Sequence, residues 1–109
     1  MHVLSEAGQF DAPDGVARYV EQLRVPDLSL GTYSVPVAAD DPQRPHTEDE
    51  VYVVVGGRGR FVAESGEADV GPGTVLFVPA GEAHRFTDVT EALTVLVIFG
   101  PAEGSRRTP

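Results

Sequence analysis

An all-β domain is what this sequence predicts, and three observations lead to it. Seventeen of the 109 residues are Val, whose branched Cβ suits a pleated, half-buried surface. The valines gather in apolar runs of five to nine residues, and those runs are bounded by Gly, Pro and Asp. Short strands at such spacing fold as a sandwich or a barrel. With 41% apolar residues, a chain of this length supports one core and one domain.

Residues 1–27 form an extension, in which Val16, Val20 and Leu23 recur at helical spacing and predict a short helix over 13–24 that covers an open edge or a barrel end. The first strand runs from Leu28 to Val37, with Leu28, Leu30, Thr32 and Ser34 on one face and Ser29, Tyr33, Val35 and Val37 near the other. Ala38 to Pro45 is a loop by its Asp and Pro content. Glu50 to Val55 and Gly59 to Glu64 flank Gly56-Gly57-Arg58, which is suited to a tight hairpin with positive φ. Thr74 to Pro79 and Leu93 to Phe99 are further apolar strands, with a more polar one around Ala83 to Asp88 between them. The barrel therefore spans 28–100, and the polar, aperiodic tail 101–109 is expected to be disordered.

Composition removes much chemistry. There is no Cys, hence no disulfide, thiol nucleophile or thiolate metal site, and no Lys, hence no Schiff base. Every cationic side chain apart from His is Arg, so an anion must be held by Arg or by backbone. The formal net charge of -9 argues against nucleic acid and anionic membranes as partners. No run approaches the ~20 apolar residues of a membrane span. Met1 to Glu6 lacks the basic and apolar regions of a signal peptide, and a cytoplasmic protein is the expectation.

Any metal here must bind nitrogen or oxygen. His46 and Glu50, four residues apart, share a face of an extended strand, and His84 can complete two histidines and one carboxylate from a neighbouring strand. Imidazole and carboxylate are good ligands for divalent first-row metals, and such a triad leaves coordination positions open. His2 follows the initiator Met and has no assigned role. Glu48 and Asp49 run into Glu50 as a solvated edge, although Glu48 shares its parity. Tyr52 shares the face of Glu50 and Phe86 that of His84, so both are candidates for the wall of a substrate pocket. Phe61, Phe77 and Phe99 read as core, and Arg60 and Arg85 as outward-facing.

The spacing resembles the cupin superfamily of small double-stranded β-helix, or jelly-roll, barrels. His46, Glu50 and Gly57 match the second His, the Glu and the closing Gly of its first motif; Gly73, Pro79, Gly81 and His84 match its second, with Asp88 where Asn is usual. Arg44 stands in place of the first motif's leading His, and Ala38 in place of its opening Gly. The resemblance implies a metal site built from His46, Glu50 and His84, lacking one of the family's four usual ligands. Arg44 cannot coordinate a cation, but neighbouring Gln43 can offer a carbonyl oxygen. Arg44 is open to three readings: a solvated loop cation, a clamp for a carboxylate or phosphate at the pocket mouth, or a partner of Glu50 that replaces the metal.

A metal-dependent enzyme acting on a small molecule leads the functional expectations. With Fe it would be a dioxygenase; with Zn, Mn or Ni, a Lewis-acid isomerase, lyase or cyclase. The alternative is a non-catalytic barrel that binds a small ligand without metal, and a third reading is a role in assembly alone. The resemblance also implies a homodimer, with the segment 13–24 as a candidate contact.

Overall fold

The computed structural model describes residues 1–107, arranged as six strands: β1 (Arg18–Val25), β2 (Leu28–Val35), β3 (Asp49–Ala63), β4 (Gly66–Val70), β5 (Val75–Val78) and β6 (His84–Gly100). The described residues contain no helix, and so none long and apolar enough to cross a membrane. All pairings are antiparallel, in the order β1-β2-β6-β3-β4, with β5 also on β3. The architecture is the jelly-roll barrel expected from the motifs.

Two long strands organise it. β3 pairs with β6 from Asp49 opposite Gly100 to Ala63 opposite His84, and on its other edge takes β5 along residues 50–53 and β4 along 59–63. Alternation along both strands turns Tyr52, Val54, Phe61, Phe86, Leu93, Val95, Val97 and Phe99 into one core, joined by Tyr33 and Val35 of β2. Phe77 is the exception among the expected core aromatics. It lies opposite outward-facing Val51 and is 64% exposed.

The hairpin expected at Gly56-Gly57-Arg58 does not form. β3 runs through these residues with shifts of register between Val54 and Arg60, and the chain reverses only after Ala63. Gly57 has φ +89°, and a Cβ there would lie 2.1 Å from the carbonyl oxygen of Ala92. The glycine therefore permits close approach of two strands at a barrel corner, a second use of the same residue type. The partner strand bends as well. The two strands expected at 83–88 and 93–99 are the single β6, in which Asp88 has φ +49° and is exposed, so it leaves the face that His84 and Phe86 share.

The helix expected over 13–24 is replaced by a turn and bend over residues 13–16 and then by β1. A bulge between Glu21 and Leu23 breaks the two-residue alternation, and the resulting spacing of apolar residues imitates a helical one. The preceding segment covers β2 on its outer face. Gly8 N–H donates to Thr32 Oγ1 at 2.9 Å and Asp11 N–H to Ser34 Oγ at 3.0 Å, which is why both faces of β2 are buried and its polar alternation carries no exposed side.

The tail also departs from expectation over its described part. Residues 101–107 form turns against the barrel, with Ala102 2% exposed and Glu103 N–H donating to Ser29 Oγ at 2.9 Å. The disorder expected at 108–109 lies outside the described residues.

Candidate metal centre

Strand parity points Glu50 and Tyr52 of β3 into the barrel, while pairing sets Glu50 between Val78 of β5 and Phe99 of β6. His84 opens β6. His46 stands on the loop before β3, which is tied down by Gly81 N–H donating to the His46 carbonyl at 2.8 Å. The His46 ring packs edge-on against Phe99 and lies 5.6 Å from that of His84.

One donor atom from each of His46, Glu50 and His84 lies within 4.8 Å of the others. His84 Nε2 is 2.8 Å from Glu50 Oε1, and His46 Nε2 is 3.9 Å from the same oxygen. Two donors at about 2.1 Å from one ion can be no more than ~4.2 Å apart, a limit both of these pairs meet. Glu50 Oε2 is buried and has no hydrogen-bond partner. A buried carboxylate with one oxygen unpartnered is costly, and a cation held by Oε1 and the two imidazoles would offset that cost by neutralising the carboxylate's charge, so the residues fit a divalent metal.

His84 is oriented by its second nitrogen, which lies 2.8 Å from the Glu82 carbonyl; this assigns the proton to Nδ1 and turns Nε2 to the site. Burial opposes a positive charge on His84, but hydrogen bonds to Glu50 and to the Glu82 carbonyl outweigh it and raise the pKa above the usual histidine value. Tyr52 is 1% exposed, and its hydroxyl lies 2.8 Å from Gln43 Oε1 and 2.9 Å from His84 Nε2. Burial, then the Glu50 carboxylate, push its pKa far up, so in the metal-free protein Tyr52 is a hydrogen-bonding phenol.

Gln43 joins the cluster, as its sequence neighbourhood suggested. Arg44 does not: it is exposed at the rim of a cavity of about 340 Å³ that His46, Glu103 and Arg107 also line, and the ion pair with Glu50 that would displace a metal is not formed. Phe86 is 1% exposed, with its ring centroid 5.2 Å from Tyr52 and 4.9 Å from Phe61. It backs Tyr52 from within the core.

Two acids are buried where the sequence reads a solvated edge or a loop. Glu48 is 1% exposed, and its carboxylate accepts the Thr47 hydroxyl, Gly104 N–H at 2.6 Å and Arg106 N–H at 3.0 Å. Its inward parity with Glu50 was the available signal. Burial alone would raise its pKa, but these donors lower it below the usual carboxylate value. A lowered folded pKa contributes stability above the unfolded value of about 4.3 and loses it as pH falls through the folded one. Glu48→Gln is therefore expected to lower stability by about 2 kcal/mol near neutrality, a gap that closes in acid. Melting curves of both proteins between about pH 3 and about pH 7 measure it, and a gap independent of pH would show that the carboxylate charge is irrelevant. The second acid, Asp41, is 8% exposed, and nothing in its loop sequence marks it.

Residues 31–99 match the family model for the cupin domain. An uncharacterised protein of Streptomyces coelicolor is 42% identical over 92 residues, covering 84% of this chain and 86% of that relative. Among solved structures, an RmlC-like cupin protein of Desulfovibrio desulfuricans superposes with a TM-score of 0.73 at 25% identity over 94% of this chain and 96% of its own. KdgF of a Halomonas species gives a TM-score of 0.73 at 18% identity, over 85% and 86% of the two chains.

Proposed function

This chain belongs to the cupin family, and from that premise we propose that it holds one divalent transition-metal ion through His46, Glu50 and His84 and acts on a small molecule. The observation that carries the reading is the convergence of these three donors, with His84 Nε2 2.8 Å and His46 Nε2 3.9 Å from Oε1 of the buried Glu50 carboxylate. The ion would supply Lewis acidity for an isomerase or cyclase if it is Zn, Mn or Ni, or a site for O₂ and a chelating substrate in a dioxygenase if it is Fe.

The chain's own groups complete the site. The Glu82 carbonyl holds the His84 ring with Nε2 inward, and the Tyr52 hydroxyl donates a hydrogen bond within it. Arg44 and Arg107 border the cavity beside His46 and suit a carboxylate or phosphate on the substrate.

Elemental analysis of protein prepared without chelator tests the proposal. About one transition-metal ion per chain is expected in the wild type, with loss of at least ~100-fold in affinity in His84→Ala. Oxygen uptake by the Fe(II)-loaded protein with small chelating acids then separates oxygenation from Lewis-acid chemistry. A metal-free binding barrel is the second reading, favoured by the hydrogen bonds that Tyr52 already makes to Gln43 and His84. Wild-type protein that stays metal-free after soaking in these ions would establish it in place of the first.

A further inference from the structure

We infer that Gln43 is a fourth ligand of the metal centre, presenting its carbonyl oxygen because Asp41 fixes which end of the amide faces the site; this rests on the metal reading above. A glutamine amide has a donor end and an acceptor end of nearly the same shape, so its orientation is decided by its partners. Gln43 Nε2 donates to Asp41 Oδ2 at 2.8 Å, and that oxygen is fixed as an acceptor because it also takes Phe86 N–H at 2.7 Å. The oxygen end is thereby turned the other way. Gln43 Oε1 accepts the Tyr52 hydroxyl at 2.8 Å and lies 3.4 Å from His46 Nε2, so it stands beside two of the groups that build the site.

Asp41 is itself held from three sides. Its Oδ1 accepts the Tyr33 hydroxyl of β2, and its Oδ2 accepts Phe86 N–H of β6 at 2.7 Å as well as Gln43. It is 8% exposed. Reversing the Gln43 amide would set one oxygen against another in this buried position and leave the amide's hydrogens pointing at the imidazole and phenol instead. Asp41 is thus a positioning residue, acting on the centre through Gln43. Arg44, which occupies the family's histidine position, turns outward, and the residue before it turns in. The donor set becomes two imidazoles, a carboxylate and an amide oxygen, harder than a set with a third imidazole, and it shifts preference toward oxygen-seeking ions such as Mn(II) and Fe(II).

Cobalt(II) titration of the full chain, followed by visible absorption and by competition with a chelator, tests this without any assay of activity. Gln43→Leu removes the carbonyl and keeps the bulk; it is expected to bind Co(II) about 10–100-fold more weakly and to show a changed ligand-field spectrum at saturation. Asp41→Asn should retain the wild-type spectrum, because its oxygen can stay toward Gln43 and Phe86 N–H while its NH₂ turns to the Tyr33 hydroxyl. Asp41→Val, which removes the lock, should give the Gln43→Leu spectrum. Gln43 lies on a loop, so Gln43→Leu carries the test even if Asp41→Val fails to fold. Wild-type affinity and spectrum in Gln43→Leu would overturn the assignment and leave the three-ligand site standing; no Co(II) binding by the wild type would overturn both.

Discussion

Glu50→Leu is expected to abolish metal binding while leaving the metal-free protein as stable as the wild type, or more so. The two effects have opposite signs because, in the proposed site, Glu50 would serve the ion at the expense of the fold. Its Oε2 has no partner inside the barrel, and a buried unsatisfied oxygen costs about 1–3 kcal/mol. The His84 partner need not be left as an unpaired charge, since it can become neutral in the variant, with the Tyr52 hydroxyl turning its one proton from Gln43 Oε1 to His84 Nε2, 2.9 Å away. A metal at 1,000 times its Kd stabilises by about 4 kcal/mol, a gain the variant forfeits.

The pH dependence has a defined direction. In the metal-free wild type the His84 pKa is raised, so its pair with Glu50 contributes fully below the unfolded value of about 6.5 and is lost as pH rises through the folded pKa. The relative advantage of the Glu50→Leu variant should therefore grow with pH. Metal affinity of the wild type should also climb over the same window, because the ion displaces the His84 proton. Melting curves with and without Zn(II) from about pH 5 to about pH 9 read all three effects. A variant that melts far below the wild type without metal, or that still gains with it, would contradict this account of Glu50.

Gly57→Ala is expected to produce the largest loss of stability among single-methyl additions. The residue has φ +89°, which penalises any side chain, and the new Cβ would lie 2.1 Å from Ala92 O and 2.6 Å from Ala92 C. Both atoms are backbone of β6, so relief requires the two central strands to separate at the corner where the barrel bends. Strain and overpacking together amount to about 3 kcal/mol or more, on the order of 15 °C in Tm for a domain of this size. Gly15, with φ +73° and open space around it, serves as the control: Gly15→Ala carries the backbone penalty without the clash. Equal losses in the two variants would show that the close approach to Ala92 contributes nothing.

The sequence was most informative where an interaction is local or periodic. Alternation in Glu50 to Val55 identified the inward set Glu50, Tyr52 and Val54, and the motif spacing brought His46 and His84 to the same end of the barrel. It misled where periodicity is interrupted. A bulge in β1 looked like a helix, and Gly57 looked like a reversal although it serves a bend. Phe77 and Asp88 show the same limit on single side chains: the first faces away from the core and the second leaves its strand's parity at a positive φ.

What the sequence by itself determined is the β class, the candidate nitrogen and oxygen donors, and the exclusion of thiolate or lysine chemistry, because these follow from residue types and from a two-residue period. Only the tertiary structure decided which way Gln43 and Arg44 turn, which acids are buried, and where the tail rests. Those outcomes depend on partners far apart in the chain: Asp41 meets Tyr33 and the Phe86 backbone, and Glu48 meets the N–H groups of Gly104 and Arg106. A carboxylate beside a loop proline reads as solvated until the strands that bury it are in place, since its free energy is set by donors that local sequence does not contain.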